Sequence, residues 1–217
     1  MPDKSGPLPK SVWIGFGLAF GCAVLAGLLA FVNHAKSLQI PVIGPVADFT
    51  LTNQAGNVTT LADFTNHVWV ADIIFTRCAG PCPRMTTQMK SLQDALPADS
   101  NVRLVTLTTD PENDTSEVLS RYAKHYGADT NRWTFLTGTK TEIAGLAAGG
   151  LKLSSMPVKA AEQKDAADLF IHTTIFVVVD KHAQLRSFFE TGGDGIDWTN
   201  VVEPKLLQTV SQLEQEP

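Results

Sequence analysis

"VWVADIIFTRCAGPCPRMTTQMKSLQ" spans residues 68–93, and its reading orders the rest of the chain. The first eight residues (68–75) are apolar except for Asp72, the pattern of a strand buried on both faces of a sheet. Pro83 then stands where a helix opens, with Met85, Met89, Leu92 and Leu96 on one face and Pro97 as its stop. Pro83 also biases its predecessor, Cys82, toward extended geometry, so the spacing predicts a helix that begins at Pro83. Cys78 and Cys82 lie at the junction of strand and helix. Free backbone N–H groups and the helix dipole at such a junction favour thiolate over thiol. Thiolate attacks disulfides and binds metal, so the pair can be a local disulfide, a redox couple or part of a metal site. A staple across so short a loop removes little chain entropy, which counts against a purely structural bridge.

The pattern continues on both sides of this stretch. "VRLVTLTT" (102–109), "RWTFLTG" (132–138), "TTIFVVVD" (173–180) and "LRSFFET" (185–191) read as strands. "DTSE" (114–117) resembles a capping box for a helix that runs to Gly127. "KTEIAGLAAGG" (140–150) reads as a short helix, and a closing helix covers 202–214. Upstream, "DFTLTNQAGNVTTLADF" (48–64) reads as two short strands about a turn between Asn53 and Gly56. The result is a β-α-β-α-β-β-α thread on an N-terminal β-hairpin extension. This is α/β, thioredoxin-like order, with the cysteine pair at the end of the first core strand.

The chain has 217 residues, enough for one membrane segment and one domain of ordinary size. Its net charge of −5 comes without a Lys/Arg run, which argues against nucleic acid as a partner. Three cysteines are too few for a disulfide-built scaffold. Residues 12–32 carry no charge, and a helix of that length spans roughly 30 Å, about one hydrocarbon core. The run is longer than the apolar part of a cleaved signal peptide and lacks a small-x-small cleavage site behind it. It therefore reads as a transmembrane anchor, in which Cys22 is a lipid-facing or packing residue. Lys4 and Lys10 precede it and Lys36 follows, a bias for an inside N-terminus. The expected organisation is a short cytoplasmic N-terminus (1–11), the anchor (12–32), a Pro/Gly-containing tether (33–47) and a thioredoxin-like domain (48–217). No Arg-rich amphipathic leader points to a mitochondrion, so the expected place is the bacterial inner membrane with the domain facing the periplasm.

Asp72 interrupts the apolar strand six residues before Cys78. A carboxyl buried there should have a raised pKa. The offset is similar to that of thioredoxins, whose buried Asp relays protons to the thiols; the alternative is a structural acid bonded to nearby backbone or hydroxyl groups. Of the five histidines, His34, His67, His125 and His182 read as surface residues. His172 stands immediately before the strand "TTIFVVVD", whose entry in thioredoxin-like folds packs against the cysteine loop. Two thiolates and one imidazole form a soft set that suits Cu(I), or Cu(II) with an added ligand, whereas structural zinc wants a fourth protein donor. Met85, Met89 and Met156 could lend a thioether, although the helical spacing of the first two suits core positions.

At this point the chain resembles the Sco/SenC family of copper-handling proteins that mature cytochrome c oxidase. The resemblance rests on "FTRCAGPCP" for the CxxxCP motif, His172 for the distal histidine, "TTDPENDT" (108–115) for the DPxxDT stretch, and the single anchor. It implies a thioredoxin fold binding copper through Cys78, Cys82 and His172, with the metal passing to the copper-binding subunit of the oxidase. A copper donor protein and a thiol reductant are the implied further partners. The alternative is a thiol–disulfide oxidoreductase that keeps the oxidase cysteines reduced, with Cys78 attacking, Cys82 resolving and Asp72 moving the proton. A peroxiredoxin-like peroxidase is a more distant third. Asp110, Pro111, Asp114 and Thr115 are expected to turn the chain after a strand and cap a helix.

Overall fold

A computed structural model describes residues 21–22, 24–25, 39–153 and 174–216. The chain divides into two units, Met1–Gln39 and Ile40–Pro217. In the first, Gly21, Cys22, Val24 and Leu25 are helical and exposed. The other residues of the expected anchor lie outside the described ones, among which no helix is long and apolar enough to cross a membrane.

The second unit is built on strands β1 (Gly44–Pro45), β2 (Thr50–Asn53), β3 (Val58–Thr60), β4 (Trp69–Ile74), β5 (Arg103–Thr108), β6 (Trp133–Thr137), β7 (Ile175–Val179) and β8 (Gln184–Glu190). Its helices are α1 (Cys82–Ala95), α2 (Ser116–His125), α3 (Lys140–Ala144) and α4 (Glu203–Gln215). The strands form one sheet in the order β1-β8-β7-β4-β5-β6-β2-β3. β4 is central, parallel to β5 and antiparallel to β7, and all six of its residues are buried. That burial on both faces is why the run is apolar without alternation. β2 and β3 form the expected hairpin, which joins the sheet through β6. Its turn is set by Asn53, whose Oδ1 accepts from the N–H groups of Ala55 and Asn57, and by Gly56 at φ 81°. Glycine alone takes that left-handed backbone without a steric cost.

Successive β4 residues point to opposite faces. Trp69, Ala71 and Ile73 join a layer with Phe49, Phe64, Ile143 and Leu146. Val70 and Ile74 join another with Met85, Met89 and Leu92 of α1, Leu119 of α2 and Leu206 of α4. Asp72 shares the side of Val70 and Ile74, facing the layer that contains Cys82.

Three local expectations are corrected. The helix opens at Cys82, not Pro83, with Pro81 as N-cap in the helical region (φ −74°, ψ −24°). Pro83 then falls in the first turn, where its missing N–H has no intrahelical acceptor to lose, and Cys82 is the first residue of the helix despite the bias that proline places on its predecessor. Residues 40–47 are part of the domain instead of a tether: Ile43 and Val46 donate to Leu185 and Ala183 carbonyls, and β1 extends the sheet edge beside β8. The buried Arg186 guanidinium locks this segment in place. It donates to the carbonyls of Ile40 and Pro41 and pairs with Asp180 at 2.6 Å and Glu216 at 2.8 Å. Finally, α2 is capped by Thr115, whose Oγ1 accepts from Val118 N–H at 3.4 Å. The box expected at 114–117 does not form; Glu117 pairs instead with Arg121.

Candidate metal and redox centre

Cys78 and Cys82 meet where β4 ends and α1 begins, and both are free thiols. Phe75 carbonyl accepts from Cys78 N–H at 3.2 Å, turning the chain out of the strand, and Gly80 N–H donates to Cys78 Sγ at 3.4 Å. Cys78 is half-buried and Cys82 only 3% exposed. This asymmetry gives the pair one sulfur that a partner can reach and one that it cannot.

Burial decides the protonation of the inner thiol. Loss of solvent, and then a hydrogen bond to the neighbouring Cys78, push Cys82 up to about 12, with a backbone hydrogen bond at Phe75 opposing. The dipole at the helix start, expected to favour thiolate, is outweighed because desolvation penalises the charged form over the whole buried sulfur. Cys82 is thus a protonated thiol at neutral pH. The backbone behind it is braced: Thr86 Oγ1 donates to Cys82 carbonyl at 2.9 Å and lies 2.7 Å from Tyr122 Oη.

Asp72 is fully buried on the same side of the sheet. Its Oδ1 accepts from Thr106 Oγ1 at 2.6 Å, and that hydroxyl in turn accepts from Trp133 Nε1–H at 2.9 Å. The pairing of Asp72 with Thr106 across parallel β4 and β5 makes this contact unavoidable. Oδ2 finds no protein partner. Burial raises the carboxyl from 3.8 to about 7, with the Thr106 hydrogen bond resisting. Asp72 also acts electrostatically on Cys82, raising its pKa. The centre therefore holds a buried acid poised near neutrality beside a buried thiol.

His172 and Met156 lie outside the described residues. Thr174, the first described residue after that gap, is tied to the cysteine helix. Gln88 Nε2 of α1 donates to Thr191 carbonyl at 2.9 Å, and Thr191 N–H and Oγ1 both donate to Thr174 carbonyl, at 2.7 and 3.0 Å. Gly192 completes the contact. A Cβ there would run into Arg84 Nη2 and sit 2.8 Å from Thr174 Cγ2, so the absence of a side chain lets α1 and the entry to β7 close on each other.

Two of the other histidines have local roles: His67 Nδ1 lies 2.9 Å from Asn101 carbonyl, and the His125 ring packs edge-on against Tyr126. Met85 and Met89 are buried in the core. Among the described residues, no three His, Cys, Asp or Glu side chains are grouped to hold a metal. The residues that sequence reasoning missed here are Thr106, Gln88 and Gly192. Thr106 had a signal, since it is a hydroxyl inside an apolar strand, but its partner depends on register.

Comparison with known proteins fits this geometry. The SCO1/SenC family model matches residues 44–206. The SCO1 protein homolog of Bacillus subtilis (strain 168) is 36% identical over 146 residues, covering 66% of this chain and 72% of that protein. The solved structure of BsSco, a member of the Sco family of cytochrome c oxidase assembly proteins in which a disulfide switch was identified, matches with a TM-score of 0.66 and 29% identity. That match covers 82% of this chain and 99% of BsSco. Bradyrhizobium japonicum ScoI with copper bound shares the fold, with a TM-score of 0.57 and 20% identity over 79% of this chain and 99% of its own.

Proposed function

The chain belongs to the SCO1/SenC family, and from that premise we propose that it carries copper as cargo on Cys78, Cys82 and His172. The copper is delivered to the copper-binding subunit of cytochrome c oxidase during assembly. The observation that supports this most is the adjacent pair of free thiols, one open to a partner and one buried. Two sulfur donors and an imidazole suit Cu(I) by softness. Thr174 is fastened to α1 through Thr191 and Gln88. Thr174 stands two residues after His172 in the sequence.

Binding copper requires both thiols to surrender their protons. The Cys82 proton, held by burial at about 12, leaves when the metal replaces it, so affinity rises with pH. Half-exposed Cys78 is the sulfur through which an incoming ligand of the acceptor can begin to displace the protein. Oxidation of the pair to a disulfide removes both thiolates and ejects the metal. The copper-bound ScoI and the assembly role of BsSco's family favour this cargo and this destination.

Asp72 favours a second activity at the same site, thiol–disulfide exchange that keeps the oxidase cysteines reduced. The Cys78 thiolate attacks a partner disulfide, forming a mixed disulfide and releasing one partner thiolate. Asp72 carboxylate then takes the Cys82 proton, Cys82 sulfur attacks Cys78, and the second partner thiol leaves. The chain ends oxidised, the partner has gained two electrons, and an external thiol reductant resets the pair.

Residues 12–32 anchor the domain in the bacterial inner membrane with Ile40–Pro217 in the periplasm; the uncharged length and the lysine bias support this. The test is copper stoichiometry of the full chain in detergent, loaded as Cu(I). One copper per reduced chain and none after oxidation is expected. Equal loading in both states would place the metal elsewhere.

A further inference from the structure

Asp114 is a buried carboxylate that neither the copper reading nor the exchange reading uses. It is 0% exposed, and among the described residues no Lys, Arg or His forms an ion pair with it. Three donors from two other segments converge on it instead. Its Oδ2 accepts from Thr76 N–H at 3.0 Å and from Thr108 Oγ1 at 2.5 Å, and its Oδ1 accepts from Thr76 Oγ1 at 2.5 Å. Thr108 ends β5, and Thr76 stands two residues before Cys78. Thr108 Oγ1 also accepts from Asp110 N–H at 3.0 Å, and Asp114 N–H donates to Asp110 carbonyl at 2.8 Å, so the loop that offers the carboxylate is itself rigid.

Hydrogen bonds to a charged acceptor are roughly twice as strong as neutral ones. Burying a carboxylate is costly without them. A helix cap or a turn would be served by an exposed Asp, and Thr115 already caps α2. What the burial achieves is a fixed position for Thr76. Cys82 is held at the other side by α1, where Met85 N–H donates to Pro81 carbonyl at 3.0 Å. The segment between these two fixed points carries Cys78.

We propose that Asp114 is a positioning residue for the cysteine pair: by clasping Thr76 it holds Cys78 against Cys82, and so sets how readily the two sulfurs join. This deepens the reading of the site as a dithiol centre. With both ends fixed, the two sulfurs have a high effective concentration toward each other. With Thr76 released, Cys78 samples a larger volume and the disulfide becomes easier to reduce. The reaction read is protein disulfide plus two glutathione thiols giving protein dithiol plus glutathione disulfide, with two electrons and two protons moving to the protein.

The full chain in detergent, free of metal, is equilibrated in reduced and oxidised glutathione, and its free thiols are counted. Asp114→Ala is expected to lower the equilibrium constant for disulfide formation about tenfold, a shift of ~30 mV toward easier reduction. Asp114→Asn, which keeps an acceptor oxygen, is expected to fall between Ala and the native chain. Thr76→Val, which removes one of the three bonds and leaves Asp114 in place, shifts the constant in the same direction by less. Thr115→Ala weakens the neighbouring cap and leaves the constant unchanged. If Asp114→Ala does not fold, Thr76→Val and Asp114→Asn carry the test. A constant unchanged in every folded variant, or moved toward harder reduction, overturns the proposal, as does an equal shift from Thr115→Ala. Copper does not enter this measurement, so a chain that fails to load copper would refute the cargo reading and leave the clasp standing.

Discussion

Replacing Asp72 with Asn isolates the charge of one buried oxygen pair while keeping its shape. The native carboxyl is fully buried, bonded through Oδ1 to Thr106, and raised from 3.8 to about 7. The sign follows from linkage. In the unfolded chain the group ionises near pH 4, and in the folded chain only near pH 7. Between those values the folded state binds the extra proton, so stability is full below about pH 4, declines as pH rises, and has lost the whole contribution above about pH 7. At roughly 1.4 kcal/mol for each pH unit between the two pKa values, the displacement amounts to about 4 kcal/mol. Asn carries no such charge. Asp72→Asn should therefore match or fall below the native protein at pH 4.5, where Thr106 has the better partner in the acid. It should exceed the native protein by a few kcal/mol at pH 8.

The assay is urea unfolding of the metal-free, reduced chain at pH 4.5, 6 and 8, native against variant. The native midpoint should fall across this range relative to that of the variant. In parallel, the second step of thiol–disulfide exchange, attack by Cys82, should slow in the variant near pH 7, because no carboxylate is present to take its proton. A native-minus-variant stability difference that does not change between pH 4.5 and 8 would mean that Asp72 is not held neutral by burial. The proton-relay argument would then fail with it.

Cys78→Ser and Cys82→Ser should each abolish tight Cu(I) loading, read by competition with a soft chelator, since one thiolate and one imidazole are too weak a set. His172→Ala should weaken copper binding while leaving glutathione exchange rates and the melting temperature near native; an unchanged copper affinity would favour the exchange reading. Arg186→Met should lower unfolding free energy by about 3–5 kcal/mol, because it strands the buried Asp180 carboxylate. Gly192→Ala should cost about 1–3 kcal/mol by forcing Thr174 away from α1, measured as a drop in melting temperature with weaker copper loading.

The fold was legible wherever burial on two faces made a run of residues mostly apolar. Trp69–Ile74, Arg103–Thr108 and Ile175–Val179 form the middle of the sheet, and their short, mostly apolar, β-branched runs mark them as strands. Edges were harder to read. Gly44–Pro45 has no pattern that distinguishes a sheet edge from a tether, because its attachment comes from backbone bonds to β8 and from Arg186, which lies far along the chain. The start of α1 lies one residue before Pro83 for a related reason. Proline constrains its predecessor statistically, yet the first helical turn accommodates Pro83 here, with the N-cap Pro81 already in the helical region.

At the site, the legible residues were those whose chemistry is unusual on its own: two cysteines at a junction and a carboxyl in an apolar strand. The illegible ones act through partners that only the tertiary structure supplies. Asp72 could be read as buried, but its anchoring depends on the parallel register that sets Thr106 opposite it and Trp133 behind that. Asp114 illustrates the same limit more sharply. In "DTSE" the local pattern makes it a cap, and a one-residue displacement gives that task to Thr115 and turns the carboxylate inward. Once inward it must find donors, and Thr76 and Thr108 are the hydroxyls at the ends of the two strands that it faces. The step from cap to clasp therefore follows from burial: a surface carboxylate can be satisfied by water, whereas a buried one must be satisfied by the protein. Here the protein satisfies it with the backbone that leads into Cys78.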